Sequence, residues 1–266
     1  MKLGIIGFGH LAKAFAEGVL KSNKLKSEDI TITSLTQKTK ENALSKFKIR
    51  SYSTNKELSS NCNYIILSVK PHLYEDILTE IRNYIRPDTV IISFLAGTKL
   101  SQLEEFLPKG TQIIRVMPNI AMAVRESMSC ICPNEFVGDD ELSNIRQLFE
   151  EVGSVIETEE EDLEKISALS GSGLGFVAYL LESFEKASIE LGLPTELKQI
   201  ISSQTFAGAV SLVSNTDVEA EALKDQVATE GGSTIEGLKY LESQNVDEKI
   251  INAIRASYNR VQELSR

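Results

Sequence analysis

The stretch "GIIGFGHLAKA", residues 4–14, decides how the rest of the chain is read. Gly7, Gly9 and Ala12 give the spacing G-x-G-x-x-A directly after a short apolar run and at the opening of a segment with helical periodicity. In that setting the first glycine makes a tight strand-to-helix turn and the second lets a pyrophosphate approach the backbone. The small third residue lets helix and strand pack closely. The helix N-terminus adds free N–H donors and partial positive charge for an anion. The position therefore predicts a dinucleotide site at Gly7 and Gly9, with His10 and Leu11 beside it, against the plainer alternative of a structural turn.

Working outward, "KLGII", "ITITSL", "YIILSV", "TVIISF" and "TQIIRVM" are short β-rich runs separated by helical patterns such as "KENALSKF", "YEDILTEIRNYI" and "KLSQLEEFL". This is the rhythm of βαβ units and predicts a mostly parallel sheet buried on both faces. "MSCICP" and "GSVIET" read as late strands at the far edge, flanking a helix over residues 139–152. Beyond the acidic run "ETEEEDLEK" strand signals stop and helical periodicity runs to Arg266. The fold class expected is an α/β Rossmann-type domain over residues 1–158 followed by an all-α dimerisation domain over 159–266. The acidic run itself reads as a solvated helix start with no chemistry. Several of the later helices are apolar on more than one face, more than about a hundred residues can bury alone, which predicts packing against a second subunit.

Composition excludes several classes. The chain has 266 residues and a formal charge of -10, which opposes nonspecific binding to nucleic acid or an anionic membrane. The opening apolar run is too short and too glycine-rich for a signal peptide, and no segment approaches a membrane span, so a cytoplasmic protein is expected. Two histidines, His10 and His72, and three cysteines without paired spacing leave no material for a zinc cluster or a hydrolytic triad, and no metal is expected.

After the second strand, NAD-binding domains place an acid on the ribose hydroxyls. Here the stretch is "TSLTQKTKEN", with Thr36, Gln37, Lys38, Thr39 and Lys40 ahead of Glu41. Hydroxyl, amide and ammonium groups suit a 2′-phosphate, so NADPH is the expected cofactor, with NADH possible. Later strands end at Val69 and Lys70, at Ala96 and Gly97, and at Met117, Pro118 and Asn119, first choices for the nicotinamide wall, although Pro and Gly also end strands for structural reasons alone.

The C-terminal third carries "LKDQVATEGGSTIEGL", residues 223–238. Adjacent glycines followed by hydroxyl residues read first as a turn between helices, and alternatively as an anion cradle at a helix start. His10 has two readings as well, a cofactor-adjacent side chain or a cap of the first helix, and His72 reads as a helix-start residue.

Taken together, the G-x-G-x-x-A opening, "SVKP", "ISFLAG", "RVMPN", "ALSGSG" before a long helix to "LGLP", and "LKDQVATEGGSTIEGLKYLE" resemble the pyrroline-5-carboxylate reductases over essentially the whole chain. The resemblance implies a Rossmann domain, a helical domain interlocked with a second subunit in a homodimer or larger assembly of dimers, and NAD(P)H-dependent reduction of pyrroline-5-carboxylate to L-proline. It further implies that Gly231, Gly232, Ser233 and Thr234 hold the substrate carboxylate, that Thr234 meets the ring nitrogen as the catalytic residue, and that this loop meets the other subunit's nicotinamide near Met117, Pro118 and Asn119. The chain departs from the family at His10 (usually Asn), Ile120 and Ala121 (Thr-Pro), Leu174 and Gly175 (Pro-Ala) and Glu230 (Pro). These departures keep two alternatives open: a sibling imine or ketoacid reductase, and a noncatalytic NADP-binding regulatory paralogue.

Overall fold

The computed structural model describes residues 1–264. Eight strands, β1 (Leu3–Ile6), β2 (Ile30–Thr33), β3 (Arg50–Ser51), β4 (Tyr64–Leu67), β5 (Val90–Ser93), β6 (Gln112–Met117), β7 (Ser127–Pro133) and β8 (Gly153–Glu157), form one sheet in the order β3-β2-β1-β4-β5-β6-β7-β8. The first six positions follow the doubly wound 3-2-1-4-5-6 order, whose direction reverses beside β1. The helices are α1 (His10–Lys21), α2 (Gln37–Phe47), α3 (Asn55–Asn61), α4 (Tyr74–Ile81), α5 (Leu100–Glu104), α6 (Asp139–Glu150), α7 (Glu160–Ser170), α8 (Gly173–Glu190), α9 (Lys198–Asn215), α10 (Ala220–Val227), α11 (Ser233–Ser243) and α12 (Val246–Leu264). The last two positions of the helical run expected to Arg266 lie outside the described residues.

Successive strand residues feed opposite sides of the sheet. Leu3, Ile5, Ile66, Val90, Ile92, Ile114 and Val116 join a core with Phe15 of α1 and Phe149 of α6. The alternating Ile6, Ile65, Leu67, Ile91 and Ile113 join a second core with Leu58, Leu78, Ile81 and Leu103 of α3, α4 and α5. Both faces are covered, which is why the strands read as continuous apolar runs. β7 runs antiparallel to β6. The nine residues 118–126 between them, with a five-residue 3-10 turn at Ile120–Val124, are too few for the crossover that a parallel neighbour requires. β3 and α3 fall in a stretch where the sequence gives little signal. A two-residue edge strand has no periodicity, and α3 is marked only by the capping box of Thr54 and Glu57.

By contacts the chain forms two compact units. One comprises the sheet with its helices through Gly171 and returns at Ser257, and the other is Ser172–Ala256. In the first, α7 corrects the solvated reading of the acidic run. Arg115 on β6 is fully buried, and its two terminal nitrogens donate to Glu160 Oε1 and Glu164 Oε1, each at 2.8 Å. Glu160 Oε1 also accepts the Leu100 N–H at 2.6 Å. An arginine cannot shed its charge, so a buried one in an apolar strand requires acidic partners, and residues 159–164 supply them. In the second unit the helices pack with Phe184 edge-on to Phe206 at 5.0 Å. No apolar side chain there is fully buried among the described residues, while Leu191, Tyr240, Tyr179, Ile200 and Val210 are all more than 60% exposed. A set of helices without a core of its own has an apolar surface to cover.

Candidate functional site

The glycine turn is built as its spacing requires. Gly7 has φ 86°, and a Cβ there would sit 2.5 Å from the Ser68 carbonyl oxygen. Its N–H donates to the Thr33 carbonyl at 3.1 Å, so the turn is tied to both neighbouring strand ends. Gly9 is the N-cap of α1 and has an ordinary φ of -80°, yet a Cβ there would meet nothing within 4 Å. The space beside Gly9 is open to a ligand rather than filled by protein. Ala12 is fully buried, as close helix-strand packing demands.

This turn opens onto a cleft of about 720 Å³ at the carboxyl ends of β1, β2 and β4. Gly7, Gly9, Thr36, Val69 and Lys70, all expected at the site, line it. So do Thr39 and His72. Thr36 caps α2, accepts the Thr39 N–H and shares a 2.8 Å hydroxyl contact with Thr39. His10 and Leu11 occupy the first turn of α1 outside the lining; Gly9, not His10, is the cap. Lys38 is exposed on the first turn of α2, while Gln37 and Lys40 line a separate depression of about 370 Å³ with Glu41 and Arg50.

The later strand ends gather elsewhere in the same unit. Met117 is buried with Cys130, Cys132 and Leu163, and Ala96 packs against that cluster. Gly97 is buried with φ 75°. Pro118 is buried, and Asn119 is fully engaged in shaping the backbone. The Asn119 side chain accepts the Ala121 N–H at 3.0 Å and donates to the Ser170 carbonyl at 3.1 Å, and its own N–H donates to Ser127 Oγ. Ile120 is 55% exposed beside it. Burial pushes the Cys130 and Cys132 thiols up to about 11, so neither is a nucleophile at neutral pH.

The Gly-Gly segment is both a turn and a helix start. α10 ends at Val227, Gly231 turns the chain with φ 73°, and Gly232 caps α11. A Cβ on Gly232 would lie 2.7 Å from Thr229 Oγ1 and 3.0 Å from its carbonyl oxygen, so a side chain here would have to displace Thr229. Thr234 is half-buried, and Ser233 and Glu230 are exposed.

Sequence reasoning missed Thr33, Asn55 and Glu80, which all line the cleft. Asn55 and Glu80 come from helices beyond the glycine motif, and only the "ST-N" ahead of α3 hinted at a capped turn there. Arg115 was missed as well, although an arginine inside "TQIIRVM" was itself the signal of a buried counterion.

A doubly wound sheet with this turn and cleft defines a dinucleotide-binding domain, followed in the chain by a helical unit. Residues 2–97 match the family model described as NADP oxidoreductase, coenzyme F420-dependent, and residues 160–264 match the model of pyrroline-5-carboxylate reductase dimerisation. The pyrroline-5-carboxylate reductase of Arabidopsis thaliana is 31% identical over 265 residues, covering 100% of this chain and 96% of that protein. That of Synechocystis is 31% identical over 267 residues, covering 100% and 99%. A crystal structure of the Plasmodium falciparum pyrroline carboxylate reductase with NADP bound superposes with a TM-score of 0.91 at 29% identity, covering 100% and 98%. The chain belongs to the pyrroline-5-carboxylate reductase family, and it carries that family's dimerisation region. No helix among the described residues is long and apolar enough to cross a membrane.

Proposed function

We propose that the protein reduces 1-pyrroline-5-carboxylate to L-proline with NADPH, the last step of proline biosynthesis, as a cytoplasmic homodimer or larger assembly of dimers. The observation that carries this reading is full-length membership of the family at 31% identity. The open space at Gly9 fits a pyrophosphate against the N-terminus of the 12-residue α1. Bound NADPH supplies the hydride.

The chain's own groups bind, orient and exclude water. Gly7, Gly9, Val69 and Lys70 hold the dinucleotide along the strand ends, and the Thr36 and Lys38 side chains meet its 2′-phosphate, while Gln37 belongs with Lys40 to the separate depression. Ala96, Gly97, Met117, Pro118 and Asn119 form the wall behind the nicotinamide, with Asn119 fixing the backbone through its three hydrogen bonds. His10 and Leu11 stand at the pyrophosphate. In the first turn of α11, Gly232, Ser233 and Thr234 hold the substrate carboxylate, with Gly231 supplying the bend. Within one protomer Glu230 is exposed, and nothing among the described residues holds its carboxylate against the turn at residues 231–234.

A protonated cyclic imine is already electron-poor at carbon, so the protein's task is positioning. The Thr234 hydroxyl bonds the ring nitrogen and relays its proton. Thr234→Ala should lower kcat roughly 10- to 100-fold, the worth of a hydrogen bond to a charged group. Consumption of NADPH with formation of proline tests the reading. Absence of turnover despite tight NADPH binding would favour the noncatalytic paralogue, and turnover of another imine or ketoacid would favour the sibling reductase.

A further inference from the structure

Three polar side chains from three elements form one directed hydrogen-bond chain inside the main cleft. The Thr33 hydroxyl, at the end of β2 and only 5% exposed, donates to Asn55 Oδ1 at 2.6 Å. The Asn55 amide on α3 donates in turn to Glu80 Oε2 on α4 at 2.8 Å. An ionised carboxylate only accepts, so Glu80 at the end of the chain dictates which way the amide faces: Nδ2 toward Glu80 and Oδ1 toward Thr33. A hydroxyl serves as donor or acceptor, so without Glu80 the Thr33 side chain would accept either amide orientation equally. With Glu80 present, the amide keeps one N–H and one lone pair unused by the chain.

The chain lies where β1 and β2 end, and the Thr33 carbonyl is the group that accepts the Gly7 N–H. In a doubly wound sheet the adenosine ribose of the dinucleotide is held at the end of the second strand. We propose that Glu80 is a positioning residue for the adenosine ribose of the cofactor, locking the Asn55 amide in the orientation that offers an N–H to the ribose and its 2′-phosphate. The choice of ligand rests on the NADPH reading above. Glu80 acts through Asn55 and has no part in the hydride transfer.

The sign of the effect separates this role from a field effect. A carboxylate near an anionic ligand repels it, so removing Glu80 would by charge alone tighten NADPH. Loss of positioning does the reverse. Titrations of NADPH fluorescence on the full-length protein give Kd for wild type, Glu80→Ala, Glu80→Gln, Asn55→Ala and the double variant, with 2′-phospho-ADP-ribose measured by calorimetry as a ligand that keeps the 2′-phosphate and lacks the nicotinamide. Glu80→Ala should raise Kd for both ligands about 3- to 10-fold, the worth of an ordinary hydrogen bond. Glu80→Gln keeps an acceptor and should return Kd to within about 2-fold of wild type. The double variant should bind no worse than Asn55→Ala, as for two residues acting through one contact. Should Glu80→Ala fail to fold, Glu80→Met keeps the volume, removes both oxygens and reads the same Kd. Unchanged or tighter binding without Glu80, or additive losses in the double variant, overturns the proposal. Failure of the wild type to bind NADPH overturns the cofactor reading itself, and this inference with it.

Discussion

Replacing Arg115 with Met removes the one positive charge between two carboxylates. Arg115 is fully buried, while the side chains of Glu160 and Glu164 are 30% and 10% exposed. Glu160 would keep its bond from the Leu100 N–H and some water, so its cost is small. Glu164 would be left as an almost buried carboxylate without its cation. Removing one partner of a buried ion pair costs about 3–5 kcal/mol, a large share of the 5–15 kcal/mol that typically holds a domain folded. The chain has no Trp, so urea unfolding is best followed by far-UV circular dichroism. One fixed protein concentration is required, because assembly contributes to apparent stability. Arg115→Met should lower the midpoint by an amount equivalent to about 3–5 kcal/mol, whereas Glu160→Gln, which keeps an acceptor, should cost no more than ~1.5 kcal/mol. Arg115→Met with Glu164→Leu should recover much of the loss, since an apolar pair of similar volume replaces the ion pair. A loss below about 1 kcal/mol for Arg115→Met would refute the reasoning, because the guanidinium would then not be what ties α7 to the sheet.

Gly7→Ala and Gly9→Ala should separate fold from ligand. The first places a Cβ at φ 86° against the Ser68 carbonyl and should cost at least ~1–2 kcal/mol of stability by thermal melt. The second meets open space and should leave stability within about 0.5 kcal/mol, yet raise Kd for NADPH roughly 10-fold or more; unchanged affinity would remove the pyrophosphate from this turn. Lys38→Ala should weaken NADPH about 3- to 10-fold and leave NADH unaffected, while Lys40→Ala, on the separate depression beside Arg50, should change neither Kd. All three cysteines are buried, and burial raises the Cys130 and Cys132 thiols to about 11, so at pH 8 only about one in a thousand of either is the reactive thiolate. A disulfide reagent should label the native protein slowly and all three cysteines once urea unfolds it; rapid native labelling would contradict the burial.

The local parts were legible in the sequence because their causes are local. The Gly7 turn depends on a backbone conformation that disfavours a Cβ, and Ala12 on the closeness of strand and helix, so both are written into the spacing of one segment. The strands β1, β2 and β4 to β7 follow from short runs that the sheet largely buries, whereas β8, with Ser154, Ile156 and Glu157 exposed, is an edge strand. The turn at Gly231 and the start of α11 at Ser233 follow from glycine and hydroxyl chemistry over a few residues.

Pairings between residues far apart in the chain were set by folding alone. Arg115 meets Glu160 and Glu164 across 45 and 49 positions, and Thr33, Asn55 and Glu80 link two successive intervals of 22 and 25. Periodicity and propensity carry no information about such partners, since each residue alone fits an exposed surface as well as a buried network. The sheet topology also set which groups face the cleft, bringing Thr36 and Thr39 to it while Lys40, the next residue of the same helix, lines another depression. By itself the sequence determined a dinucleotide turn, a buried sheet and an apolar helical tail. Folding then determined where each charge lies, because a charge in this protein is harmless in water and costly inside unless its partner arrives with it.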